Sequence, residues 1–102
     1  MKVLQVVPKT GIKHSLKAQL KAKERELRSS GRPTAFRRKR EGVWVHIRYP
    51  GWISWDEARG GVLIGEVHPG RDGSDWQLAN AFVGYLDRHL GEYLESISIL
   101  YR

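Results

Sequence analysis

The chain reads as an α+β domain with β-α-β-β-α-β element order. This is the split β-α-β, ferredoxin-like arrangement, an antiparallel sheet carrying two helices on one face. Three observations lead there. Residues 43–49 and 96–101 alternate in hydrophobicity with the period of a strand. Ala79, Phe82, Val83, Leu86 and Leu90 recur with the spacing of one buried helix face. Short apolar runs at 3–7 and 62–67 supply two further strands. An α-β-β-β-α core with flanking extensions is the alternative order.

Taken in order, Val3 to Val7 forms the first strand, closed by Pro8 and a Thr10-Gly11 turn. His14 to Ser30 is rich in Leu, Lys, Ala, Gln, Glu and Arg, all strong helix formers, and Gly31 and Pro33 stop it. Its apolar stripe is thin (Leu16, Leu20 and Leu27), and Lys13, Lys17, Lys21 and Arg28 fall on the adjoining arc. Residues 32–40 read as a basic loop. In 43–49 the odd residues Val43, Val45, Ile47 and Tyr49 are expected on the core, leaving Trp44, His46 and Arg48 facing solvent. Pro50-Gly51 turns the chain, residues 52–55 form a short strand or packed loop, and residues 56–61 a turn. After the strand at 62–67, Ser74 or Asp75 caps the second helix and Gly91 ends it as a left-handed C′ residue. Residues 96–101 are the terminal strand.

At 102 residues this is a single domain, with a basic helix and loop at 12–40 on a compact core at 42–102. Charge divides along the same line. Residues 1–40 carry seven Lys and six Arg against Glu24 and Glu26, a net +11. Residues 41–102 carry five Arg against nine acids, a net −4, which together give the chain's +7. There is no Cys, which removes disulfides, thiolate metal ligands and thiol nucleophiles. No stretch approaches the roughly 18 apolar residues of a membrane helix, so the expectation is a soluble, cytoplasmic protein with no membrane partner.

A basic segment of this size points to a polyanion, because Lys and Arg near phosphates release condensed counterions. The expected nucleic-acid contacts, to RNA or DNA, are Lys13, Lys17, Lys21 and Arg28 on the helix and Arg37, Arg38, Lys39 and Arg40 in the loop. Trp44, His46 and Arg48 would add a stacking and cationic platform from the adjoining strand. Trp52 and Trp55, beside Asp56 and Glu57, are expected to make protein contacts, including a homodimer. The competing function is a protein-interaction module presenting the basic arm to an acidic partner.

Catalytic signatures are absent from the sequence pattern. His14, His46, His68 and His89 form no local metal-ligand spacing, and no cofactor motif is present. The Gly70–Asp75 loop lacks the Gly-Lys-Ser/Thr ending of a phosphate-binding loop, and Asp72 and Asp75 oppose an anion there. Nothing in sequence spacing brings Ser15, Ser54 or Ser74 to a base. The expectation is a binder without catalysis and without a cofactor.

Overall fold

A computed structural model describes residues 1–31, 34–71 and 73–102. Its elements are β1 (Lys2–Pro8), α1 (Leu16–Ser29), β2 (Phe36–Arg40), β3 (Val43–His46), β4 (Gly51–Glu57), β5 (Leu63–Pro69), α2 (Asp75–Leu90) and β6 (Leu94–Tyr101). All six strands join one antiparallel sheet in the order β2-β3-β4-β5-β1-β6. The class is α+β, but six strands replace the four of the ferredoxin-like order. One half of that motif survives, since β5, α2 and β6 bracket β1 as a split β-α-β unit. In the other half α1 crosses three strands to reach β2 at the far edge. The α-β-β-β-α alternative also fails, because β1 lies inside the sheet rather than in an extension.

The helices share one face of the sheet. Leu16 and Leu20 of α1 and Leu78, Phe82, Tyr85 and Leu86 of α2 join a single hydrophobic core. From the sheet it takes Leu4, Val6, Phe36, Trp44, Ile53, Trp55, Leu63 and Val67. The shortest dimension of the molecule is 21 Å, the thickness of one sheet and one helix layer. The opposite sheet face therefore stays open.

Local chemistry explains the boundaries. Ser15 caps α1 by accepting from the Ala18 amide at 3.1 Å, and Ser74 caps α2 by accepting from the Gln77 amide at 3.4 Å. Lys2 ties the start of β1 to α2 through a 2.7 Å ion pair with Asp75, which holds that carboxyl below the usual carboxylate range. Asp72, and Arg32 and Pro33 of the expected basic loop, lie outside the described residues.

Five expectations need correction. The basic loop is strand β2 from Phe36 onward, because Phe36 is fully buried against α2 and pairs with His46. Thus Leu16, Leu20 and Phe36 make the basic segment part of the core instead of an arm upon it. In β3 the faces are reversed: Trp44 points to the helices opposite Ile53, and Ile47, beyond the strand, is 59% exposed. Residues 51–57 form one full strand, so the turn begins only after Glu57. Gly91 is right-handed (φ −51°) and continues into a 3₁₀ turn at Gly91–Tyr93.

Two features were not readable in advance. Glu24 is buried on α1 in line with Leu16 and Leu20, its Oε1 3.5 Å from Arg28 Nη1. Among the described residues its Oε2 and the buried Tyr85 hydroxyl have no hydrogen-bond partner. Burial, and secondarily the Glu24 charge, pushes the Tyr85 phenol up to about 12. The second feature is Gly65 in mid-strand, where a Cβ would stand 2.6 Å from the Trp55 ring. The absence of a side chain there is what lets the indole lie flat on β5.

Gly65→Ala should therefore destabilise the fold by about 1–3 kcal/mol through overpacking, measured by urea denaturation.

Candidate nucleic-acid interface

Directly paired residues in a sheet share a face, so the register defines what the open side displays. One row runs from Arg37 to Val45, and on from Trp52 to His68. Continuing the β3–β4 pairs Val43↔Ser54 and Trp44↔Ile53 sets Val45 beside Trp52 and joins the two halves. The next row is Arg40, Val43, Ser54, Glu66, Val3 and Leu100, of which Val3 is fully buried. A third carries Asp56, Ile64, Gln5 and Ser98.

Trp52 is 42% exposed and stacks on His68 with ring centroids 4.8 Å apart and planes 15° from parallel. His68 Nε2 lies 3.0 Å from Ser54 Oγ, diagonally across β4 and β5. Together these contacts hold a flat, half-open aromatic surface on a rigid part of the sheet. Arg37, Lys39 and Arg40 are exposed, and among the described residues they have no ion-pair partner. Lys39 sits in the irregular step of β2 between Arg38 and Arg40. Exposed Arg48 and Arg71 lie in the loops after β3 and β5, which meet where Gly51 packs on Gly70.

The other expected contacts are placed differently. Glu41, in the turn between β2 and β3, gathers three cations: Lys21 at 3.0 Å, Arg38 at 3.0 Å and Lys17 at 4.0 Å. Lys21 foremost holds the Glu41 carboxyl below its ordinary range. Arg28 is engaged with Glu24, and Lys13 is exposed in the loop before α1, away from β2 along the chain. Trp44 and Trp55 are each 2% exposed and pack on Phe82, so neither offers a stacking or docking surface. His46 lies against Phe36 and Tyr49 on the helix side. Its Nδ1 accepts from the amides of Arg48 (2.9 Å) and Tyr49 (3.1 Å), which requires that nitrogen to be unprotonated. Burial, then the nearby Arg48 charge, lowers its pKa.

The structure thus keeps Arg37, Lys39, Arg40 and Trp52 on or beside one open face and removes Trp44, His46 and Trp55 from it. Sequence reasoning did not assign His68, Ser54 or Arg71 to the nucleic-acid surface, and it placed no base near Ser54, where the structure sets His68. The usable signal was the strand period itself, which puts 52 with 54 and 66 with 68 on common faces once both strands are recognised. Among the described residues no three His, Asp or Glu side chains gather as a metal site, and no helix is long and apolar enough to cross a membrane. No protein-family model, curated protein or solved structure matches the chain significantly. Its class is therefore defined by its own geometry: a two-layer α+β domain with one open, partly cationic sheet face.

Trp44→Ala should cost about 3–5 kcal/mol in denaturant unfolding, whereas Trp52→Ala should cost less than about 1 kcal/mol. The His46 effect on stability has a defined sign. A depressed imidazole pKa favours the neutral form in the folded state, so its contribution is complete above about 6.5 and is lost as pH falls below that. Thermal unfolding between pH 7 and 5 should show this loss, and ring NMR signals of His46 should titrate below 6.5.

Proposed function

We propose that the protein binds single-stranded nucleic acid on its open sheet face, without catalysing a reaction on it. The observation that carries this reading is one row of the sheet, Arg37–Val45–Trp52–His68, with Arg37, which has no ion-pair partner among the described residues, at one end and a stacked aromatic pair at the other. A base has a flat partner in Trp52, whose other side is already supported by His68. Phosphates have Arg37 and Arg40 on β2, whose guanidinium groups match two phosphate oxygens at once. The row spans about 14 Å, three interstrand steps, enough for a short run of nucleotides. Asp56 and Glu66 in the neighbouring rows repel a backbone and confine it to this end of the sheet.

Single strands suit this surface better than a duplex, because stacking needs an unpaired base face. The Ser54–His68 contact favours a structural role over a nucleophilic one. The other His68 ring nitrogen has no carboxylate bonded to it among the described hydrogen bonds, so nothing there orients the ring as a base. An acidic protein partner is the second reading. It is favoured by β2 being an edge strand, to which an extended acidic peptide adds as a further strand.

Fluorescence anisotropy with labelled single-stranded RNA, single-stranded DNA and duplex DNA at 50 and 200 mM salt tests the proposal. Single strands should bind more tightly than duplex, and weaken at the higher salt. Arg37→Ala with Arg40→Ala should reduce the log–log salt slope by about 1.4, at about 0.7 per phosphate contact. Trp52→Ala should lower affinity about 10-fold, one stacked base, with the slope unchanged. No binding at 50 mM salt would overturn the proposal and leave the acidic peptide as the occupant of β2.

A further inference from the structure

The two edges of the sheet are built in opposite ways. The β2 edge is short, basic and irregular between Arg38 and Arg40, features that discourage pairing with a second copy of itself. The β6 edge is eight residues long, and from Ser96 to Tyr101 it has no charge, no proline and an unbroken register with β1. Its open side can be read from the hydrogen bonds. Arg102 donates to the Met1 carbonyl at 2.9 Å, and the Met1 ammonium donates to the Arg102 carbonyl, so Arg102 points inward to β1. Antiparallel pairing alternates, so Leu100, Ser98 and Ser96 also turn their backbone groups inward. The amides and carbonyls of Glu95, Ile97, Ile99 and Tyr101 therefore face outward, with no strand of the described residues beside them.

We infer that this edge pairs with the same edge of a second copy, giving a two-fold dimer with a continuous twelve-stranded sheet. The occupant follows from the pattern. Outward-facing residues must meet outward-facing residues, and an antiparallel pair centred on Ser98 opposes Ile97 with Ile99 of the second copy and Glu95 with its Tyr101. Those pairings satisfy all four outward residues on each chain. The axis stands perpendicular to the sheet, so both copies keep their helices on the same side. On that side the isoleucines meet, and Tyr101, 72% exposed in the single chain, gains a neighbour. On the open side Ser98 meets its own counterpart about 4.5 Å away between Cα atoms. Apolar contact is confined to one strand per copy, so the dimer is a weak one, with a dissociation constant of about 10 μM. The inference rests on β6 alone and does not depend on nucleic-acid binding.

Sedimentation equilibrium of the full chain without nucleic acid, from 1 μM to 1 mM, tests it. The mass should rise with concentration from 11.7 kDa toward twice that value. Ser98→Lys places like charges against each other on the axis, at an exposed position that leaves the core untouched, and should hold the chain monomeric. Ser98→Glu should do the same, and an equimolar mixture of the two should dimerise again. In the unsubstituted chain the Ile97 and Ile99 amides should gain hydrogen-exchange protection with concentration, a reading independent of how the variants fold. A monomer throughout the range, or a dimer whose Ile97 and Ile99 amides stay unprotected, would overturn the inference.

Discussion

Phe82 holds the two halves of this molecule together. From the middle of α2 its ring meets Phe36 of β2 at 4.2 Å, Trp55 of β4 at 5.0 Å, Tyr85 at 5.5 Å and Trp44 of β3 at 6.0 Å. Three consecutive strands are thus fastened to one helix through one aromatic side chain. Large rings suit the task because each buries much surface and meets its neighbours edge-on or tilted. The basic strand β2 would otherwise be an isolated run of Arg and Lys at the rim of a sheet. Phe36 inserts into this cluster and converts it into a rigid element. Every functional reading of the basic residues depends on that anchorage, since cations on an ordered strand keep fixed positions relative to Trp52.

The same cluster explains which parts of the structure were legible in the sequence. The α2 pattern was clear because Leu78, Ala79, Phe82, Leu86 and Leu90 all lie on one face and the outer face is polar. In β3 both faces are apolar, Val43 and Val45 on one and Trp44 on the other, so alternation alone did not choose between them. The indole won the interior because it fills the space opposite Ile53 and beside Phe82, which valines would leave partly empty. Strand β2 had no apolar alternation to show, as its single buried side chain is Phe36 and Arg37 to Arg40 are charged. Its existence is a tertiary effect, fixed by pairing with β3.

For the candidate site the limit was pairing distance. Ser54 and His68 are 14 residues apart and meet only because β4 and β5 align over seven residue pairs. The Trp52–His68 stack has the same origin. The neutralising role of Glu41 was hidden in a different way, because one carboxylate in a tight turn reaches the helix and the strand together. Net charge along the sequence identified the basic half correctly, but folding divided it into cations already satisfied and cations still free.

The place of β1 between β5 and β6 has a consequence for how the molecule assembles. Both of its partners lie far along the chain: Val3 pairs with Glu66 on one side and with Leu100 on the other. The strands β2 to β5, in contrast, follow one another as adjacent hairpins and close short loops. The meander therefore closes through local contacts, whereas covering the β5 edge requires the distant β1. The pairings of β1 with β5 and β6 are the most distant strand pairings in the chain and the slowest kind to form. A chain in which β1 is unpaired leaves the facing edges of β5 and β6 uncovered.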